Sequence, residues 1–179
     1  GRQFWQGPYQ VVNPVSHGST PITGFRQFTV RGDQLALYAS HKTTGLIYHF
    51  KKNHGLADAA TILKISAVQG GLNLTAPHAS PDIDERANAY NRLYYSSMSV
   101  GGVSGLDLHV AEQLSGSTPH PFGPGTPITG LNSAADDDGP SITTDGLTLV
   151  FASTRTGGAG AADLYFSVRP VKRAIVLKN

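Results

Sequence analysis

Short runs of alternating apolar and polar residues, bounded by Gly, Pro, Asp or Asn, recur along the chain. Two clear examples are residues 35–39 (LALYA) and 147–151 (LTLVF), which are rich in β-formers and of strand length. Asp145-Gly146 precedes the second run and predicts a hairpin turn, because a tight turn needs a positive φ that Gly adopts without steric cost. The pattern therefore predicts an all-β fold of many short strands. Residues 56–68 have the nearest approach to helical spacing, and a strand or loop fits them equally well.

These strands recur as three copies of one unit. Tyr38, Tyr95 and Phe151 hold the same place in short, hydroxyl-rich runs, and they are 57 and 56 positions apart. A second strand follows each run, and the pentapeptide TPITG stands before the first and third copies, at 20–24 and 126–130. Internal repetition at this length predicts a repeat architecture. We expect one domain over 1–179, with repeat units near 20–52, 74–113 and 126–170.

The third copy carries the most specific motif. It reads DGPSITTDGLTLVFASTR over 138–155, then a glycine-rich stretch, then DLYFSVR over 163–169. This resembles the TolB-type β-propeller repeat, and the match is best over 122–169. The second copy matches less well, and the first has Ile47 where the repeat has an aspartate. The resemblance implies propeller blades, each a four-stranded antiparallel sheet, about three per chain.

Three blades are too few for a closed ring, which typically needs about four to eight. The resemblance therefore implies that a second chain completes the ring, either another copy of this chain or a companion protein. Two copies would give six blades about a two-fold axis. The β-capable segments 4–12 and 174–177 look like partial strands, and we expect them to complete blades across an interface.

Composition narrows the function classes. Apolar residues make up 39% and charged residues 15%, which argues against disorder and against a membrane span. The net charge of +2, without a dense basic stripe, argues against a nucleic-acid partner. The absence of cysteine excludes disulfides and thiolate metal sites, and leaves the compartment open. A chain that starts at Gly1 without Met indicates a processed or trimmed form.

Candidate ligand-binding residues come from two places. The insertion 84–91 and its end offer charge and aromatic surface through Arg86, Tyr90 and Arg92. His49 and His109 occupy equivalent repeat positions, and they form a ligand or metal site if they face a central axis; equivalent packing is the simpler interpretation. No nucleophile elbow or Walker loop is present, so no catalytic residue is predicted.

Two further groups of acidic residues are candidates for a metal site or for a structural ion pair. Asp136, Asp137 and Asp138 could offer oxygens to Ca²⁺, although a solvated loop entering a blade is the favoured interpretation, and no other cofactor is expected. Arg155 and Asp163 are predicted to form a structural ion pair that ties two strands of one blade together. Asp107 is expected to take the same place in the second copy.

TolB-type propellers mostly bind proteins, peptides or cell-envelope components, and many occur in exported bacterial proteins. The resemblance thus implies a non-catalytic module, extracellular or periplasmic, that recognises a protein, peptide or glycan through end loops or a central channel. One alternative is a propeller hydrolase that cleaves glycosides or esters with channel histidines and the carboxylates of Asp82, Asp84 and Glu85. Another is a structural subunit whose partner carries the activity.

Overall fold

The computed structural model describes residues 16–17, 20–21, 24–30, 36–52, 62–67, 71–72, 77–85, 91–98, 105–114 and 121–170. Within these ranges the chain has thirteen strands and no α-helix, which confirms the predicted all-β class. Over the same ranges, no helix has the length and apolar character needed to cross a membrane.

The strands are short, as the alternating runs predicted. In chain order they are β1 (Ser16–His17), β2 (Thr20–Pro21), β3 (Phe25–Val30), β4 (Ala36–His41), β5 (Ile47–Lys52), β6 (Ile62–Ala67), β7 (His78–Asp84), β8 (Arg92–Ser97), β9 (Asp107–Glu112), β10 (Thr126–Pro127), β11 (Asp137–Ile142), β12 (Thr148–Ser153) and β13 (Asp163–Val168). The ambiguous segment 56–68 contains strand β6.

Three antiparallel sheets follow one another along the chain, and each is a simple meander. The first sheet is β3-β4-β5-β6, the second is β7-β8-β9-β10, and the third is β11-β12-β13. A separate two-stranded ribbon pairs β1 with β2. Strand β6 lies beyond residue 52 and β10 beyond residue 113, so the first two sheets extend past the segments predicted as repeat units.

The first strands of the three sheets lie side by side, with β7 against β3 and β11 against β7. Each of them has a register shift opposite the second strand of its sheet. Each shift contains a residue of positive φ: Gln27 (48°), Ser80 (48°) and Gly139 (64°). Positive φ is strained for Gln and Ser and free of strain for Gly. The three sheets therefore share one plan, including a bulge in the first strand.

Stacked ring pairs join the second and third strands of every sheet. Tyr38 stacks on His49 (4.8 Å, 19°), and Tyr95 stacks on His109 (5.6 Å, 24°). The third sheet has Phe151 on Tyr165 (5.9 Å, 23°). The members of each pair are direct cross-strand neighbours. The alignment of the copies by their aromatic residues is therefore confirmed.

Two hydrophobic clusters hold the sheets together. One contains Tyr38 and Ile47 of the first sheet with Leu93 and Tyr95 of the second, and the other joins Tyr94 of the second sheet to the third. Adjacent residues of a strand point to opposite faces, so the second sheet is covered on both faces. The first cluster brings Tyr38 to its equivalent Tyr95, whereas Phe151 packs with Tyr94. The two interfaces thus use different faces of the repeat.

Candidate functional site

The members of the predicted ligand-binding set that the structure describes lie in different places. Arg86 and Tyr90 lie outside the described residues. Arg92 begins β8 and pairs with Glu112, its cross-strand neighbour on β9 (2.9 Å). His49 and His109 belong to different sheets, where each stacks on the aromatic ring of the neighbouring strand. Arg92, together with Glu112, also lines a groove between the second and third sheets.

His109 is a buried packing residue. Its side chain is 1% exposed, and Nδ1 lies 3.0 Å from the carbonyl oxygen of Asp107. A carbonyl only accepts hydrogen bonds, so Nδ1 carries the proton in this contact. Asp107 is itself buried, directly opposite Ser97 on β8. These contacts fit the interpretation of equivalent packing.

The acidic run at 136–138 sends its three carboxylates to different partners. Asp136 accepts a hydrogen bond from the Leu106 amide (2.9 Å), and Asp138 accepts one from the Ser80 hydroxyl (2.9 Å). Asp137 is fully buried, so the expectation of a solvated loop is wrong for this residue. Among the described residues, no group of three or more His, Asp or Glu is arranged to hold a metal ion. Calcium binding here stays a prediction.

The ion pair of Arg155 differs from the one predicted. Arg155 Nη2 lies 2.6 Å from Asp137 Oδ1 and 2.8 Å from the carbonyl oxygen of Leu131. Its guanidinium also lies over the ring of Tyr165, 4.7 Å from the centroid. Asp163 instead accepts a hydrogen bond from the Gly160 amide within the glycine-rich loop (3.1 Å). The predicted Arg155–Asp163 pair is therefore wrong in its partner, although Arg155 does have a structural role.

Hydrogen bonds keep Asp137 ionised despite its burial. Burial raises the pKa of this carboxyl, but hydrogen bonds from Ser153, Arg155 and Ser133 outweigh burial and hold the pKa below its usual value. Both the amide (2.6 Å) and the hydroxyl (2.9 Å) of Ser133 donate to Oδ2. Asp137 and Arg155 thus fasten the start of β11 to the loop before it and to the end of β12.

Asp82 links all three sheets. Its Oδ1 accepts a hydrogen bond from Thr29 Oγ1 of the first sheet (2.8 Å), and its Oδ2 accepts one from the Ile142 amide of the third (2.8 Å). The Ile83 amide also donates to Oδ1 (3.0 Å). A carboxylate with both oxygens engaged in this way is a cross-link between elements.

A second polar link lies at the bulges. The Ser80 amide donates to Gln27 Oε1 of the first sheet (3.2 Å), while its hydroxyl donates to Asp138 of the third (2.9 Å). The Gly139 amide donates to Ser96 Oγ (3.1 Å). The strained conformations of Gln27 and Ser80 therefore aim side chain and backbone groups across the sheet boundaries.

His78 is a buried histidine that the sequence did not single out. Nε2 lies 2.8 Å from the carbonyl oxygen of Leu72, and Nδ1 lies 2.9 Å from Ser97 Oγ. Burial lowers the pKa of His78, and the nearby His109 lowers it further, against the raising effect of the Leu72 carbonyl. The neutral ring fits both contacts, because Nε2–H donates to the carbonyl while Nδ1 accepts from the serine.

A groove of about 500 Å³ runs between the second and third sheets. Apolar side chains form most of its wall: Tyr94, Val110, Ile128, Leu131, Ile142, Leu147, Leu149 and Val168. The volume lies within the range typical of ligand pockets, about 300–1,000 Å³. Ile128 belongs to the repeated TPITG pentapeptide, which the sequence presented only as a repeat marker.

Charged groups stand at the groove's edge. The Arg92–Glu112 pair lines it, and Arg169 also lines it while donating a hydrogen bond to the Tyr94 hydroxyl (2.9 Å). The two arginines and one glutamate give this edge a net positive charge. The groove therefore combines an aliphatic wall with guanidinium groups that can bind a carboxylate.

Comparison of the sequence with protein-family models and with curated proteins gave no match. The groove geometry is therefore the main support for a functional assignment.

Proposed function

We propose that this chain is a non-catalytic binding module, with blades of the TolB-type propeller kind, in an exported bacterial protein. It recognises an extended peptide or a protein segment. The groove between the second and third sheets carries this proposal, because it joins an apolar wall to charged groups.

The blade assignment is supported by topology. Consecutive antiparallel strands make up each sheet, and the first strands of successive sheets are neighbours. Propeller blades have this order, with the first strand innermost. The links through Asp82 and Ser80 join these first strands. A rigid frame of this kind holds a groove between sheets in a fixed shape.

The wall of the groove favours a peptide over a glycan. A sugar brings many hydroxyl groups, and each one loses its water on binding unless a polar group replaces it. The described wall offers mainly aliphatic surface and few such groups. A leucine-like side chain would fill it, and a neighbouring carboxylate would reach Arg169 or Arg92.

A selection experiment tests this function. The purified chain is used to select from a displayed library of random peptides, and the selected peptides are titrated calorimetrically. We expect sequences with an apolar residue near an acidic one. Arg169→Glu should weaken binding by at least about tenfold, since a lost charge-assisted hydrogen bond costs about 1.5–3 kcal/mol. Arg26→Glu introduces the same charge change on exposed β3 and should bind normally.

Two results would refute the proposal. One is that no peptide is enriched above a blank surface. The other is that Arg169→Glu and Arg26→Glu bind the selected peptides equally well, which would place the binding site away from the groove.

A further inference from the structure

The third sheet ends in an open edge at β13. Within the described residues, β13 pairs with β12 and with no other strand. The Arg169 amide donates to the Leu147 carbonyl (2.7 Å), which makes these two residues a hydrogen-bonded pair. Hydrogen-bonded pairs alternate along an antiparallel ladder, so the backbone groups of Leu164, Phe166 and Val168 point away from β12. We call this row of outward backbone groups the β13 edge.

The second sheet shows what fills such an edge. The segment TPITGLN, which begins at Thr126, runs along β9 with Thr126 opposite Val110. The Ile128 amide donates to the Leu108 carbonyl (2.8 Å). Asn132 adds two hydrogen bonds, because Oδ1 accepts from the Leu108 amide (2.9 Å) and Nδ2 donates to the Leu108 carbonyl (3.0 Å). The segment thus satisfies outward backbone groups of β9 that would otherwise lack a protein partner.

The two edges correspond residue by residue. The stacked ring pairs and the strand register place Leu164 at the position of Leu108, and Phe166 at that of Val110. Leu108 is fully buried and belongs to a cluster on which Ile128 packs, whereas Leu164 is 79% exposed and Phe166 is 72% exposed. An isoleucine directly opposite Leu164 would lie on the same face and cover it. The β13 edge therefore offers the backbone groups and the apolar surface that suit a segment of this type.

Both copies of the pentapeptide TPITG are already paired within the chain. The first copy, at 20–24, begins with β2, which pairs with β1. The second copy, at 126–130, covers β9. A second molecule of this chain would carry both copies in the same paired state. A segment of this type therefore reaches the β13 edge from a different protein.

We propose that the β13 edge binds an extended segment of a partner protein, of the type Thr-Pro-Ile-x-Gly-x-Asn, as a fourth antiparallel strand. Its threonine lies opposite Phe166, its isoleucine amide donates to the Leu164 carbonyl, and its asparagine bonds both backbone groups of Leu164. In such strand addition the main-chain hydrogen bonds give affinity and the side chains give specificity. Leu164 and Phe166 lie outside the lining of the groove, so this site is additional to the one there.

Hydrogen exchange followed by NMR on the whole chain tests the proposal. The probe is the peptide TPITGLN, acetylated and amidated so that it carries no carboxylate for the groove arginines. In the free protein the Tyr165 and Ser167 amides, which face β12, should be protected, and those of Leu164 and Phe166 should exchange rapidly. With the peptide at about ten times its Kd, exchange at Leu164 and Phe166 should slow by about tenfold, and exchange at Tyr165 and Ser167 should not change.

Two variants separate backbone pairing from side-chain contact. Phe166→Pro removes the amide that faces the edge, and an edge strand tolerates proline where its N–H faces solvent. Phe166→Ala is the matched control, because it also loses the ring but keeps the amide. Phe166→Pro should bind the peptide at least about fivefold more weakly than Phe166→Ala, since it lacks one hydrogen bond. Circular dichroism confirms that both variants are folded.

The peptide has its own control. Alanine in place of its asparagine removes two hydrogen bonds and should weaken binding by at least about tenfold. The proposal is overturned if TPITGLN shows no saturable binding, or if the two Phe166 variants bind it equally well. It is also overturned if the Leu164 and Phe166 amides are protected before any peptide is added, since another segment would then already fill the edge.

Discussion

Replacing Arg155 with methionine tests the buried ion pair that fastens the third sheet. Arg155 is 28% exposed, whereas its partner Asp137 is fully buried. The substitution therefore leaves a carboxylate without its cation at a position that water cannot reach. Methionine keeps most of the apolar contact with the Phe151 and Tyr165 rings. The experiment therefore removes mainly the charge and its hydrogen bonds.

The expected loss in the free energy of unfolding depends on the hydrogen bonds that Asp137 keeps in the variant. Removing one partner of a buried ion pair typically costs about 3–5 kcal/mol. Both hydrogen bonds from Ser133 remain, so we expect the lower end, about 3 kcal/mol. For a chain of this size the melting temperature should fall by about 6–12 °C.

The contribution of Asp137 to the stability of the fold should depend on pH in a predictable direction. The pKa of Asp137 is lowered in the folded protein, so its contribution is present above the unfolded value of about 3.9 and is lost as pH falls through the folded pKa. The pKa of Asp137 should rise in Arg155→Met. The difference between the two proteins should then shrink as pH falls, first as the Asp137 carboxyl of the variant takes up its proton and finally as that of the unaltered protein does so at lower pH.

The assay is urea unfolding followed by circular dichroism at several pH values. Arg169→Met serves as control, because Arg169 is exposed and its hydrogen bond to Tyr94 should be worth about 1 kcal/mol. Asp163→Ala should also lower stability by about 1 kcal/mol, since Asp163 closes only a loop contact in this structure. A loss below about 1 kcal/mol for Arg155→Met, or one that does not change with pH, would refute the reasoning.

Further outcomes follow from other buried groups. The pKa of His78 is lowered in the folded protein, so the unfolded chain takes up this proton at a higher pH than the folded chain. The free energy of unfolding should therefore fall as pH drops below about 6.5, by up to about 1.4 kcal/mol per pH unit. His78→Gln should remove this fall when the free energy of unfolding is measured by urea titration at each pH. Gly125→Ala would drive a Cβ into the Tyr95 hydroxyl and should cost about 2 kcal/mol, whereas Gly130→Ala meets nothing and should unfold at the wild-type urea midpoint. Asp82→Ala should cost about 2 kcal/mol in the same assay, because it cuts links to two neighbouring sheets; a loss no larger than that of a surface substitution would contradict this role.

Local pattern was enough to predict the all-β class and strands such as β4 and β12. Alternation and turn residues specify where β12 begins, and the aromatic positions of the repeat proved to be cross-strand ring pairs. These features depend on neighbours within one sheet. The sequence order of Arg155 and Asp163 also suggested a local pair, but the true partner, Asp137, lies on the strand that opens the sheet. Sequence spacing cannot rank two carboxylates that are both within reach of one arginine.

The groove could not be predicted for a related reason. Its wall combines residues from two sheets, such as Val110 and Leu149, which become neighbours only after the sheets pack. The histidine pair shows the same limit of sequence reasoning, and a shared ligand site there stays a prediction. Equivalent positions in successive sheets are separated by the packing of the repeat, so His49 and His109 each meet the ring beside them.

In the second and third sheets, an equivalent backbone carbonyl accepts a hydrogen bond from a different type of side chain. In each, a leucine carbonyl lies six residues before the first strand, at Leu72 and Leu131. The neutral ring of His78 donates to the first, and the guanidinium of Arg155 donates to the second.

The residue that opens the first strand also meets the same partner in both sheets. His78 lies opposite Ser97, and Asp137 lies opposite Ser153. The position that opens the first strand therefore holds a neutral imidazole in the second sheet and a carboxylate paired with Arg155 in the third. Acid should accordingly act on the two sheets in separate steps, on the second sheet below about pH 6.5 and on the third only below about pH 4. Hydrogen exchange at intermediate pH should then show the amides of β8 opening before those of β12, and simultaneous opening would show that the sheets unfold as one unit.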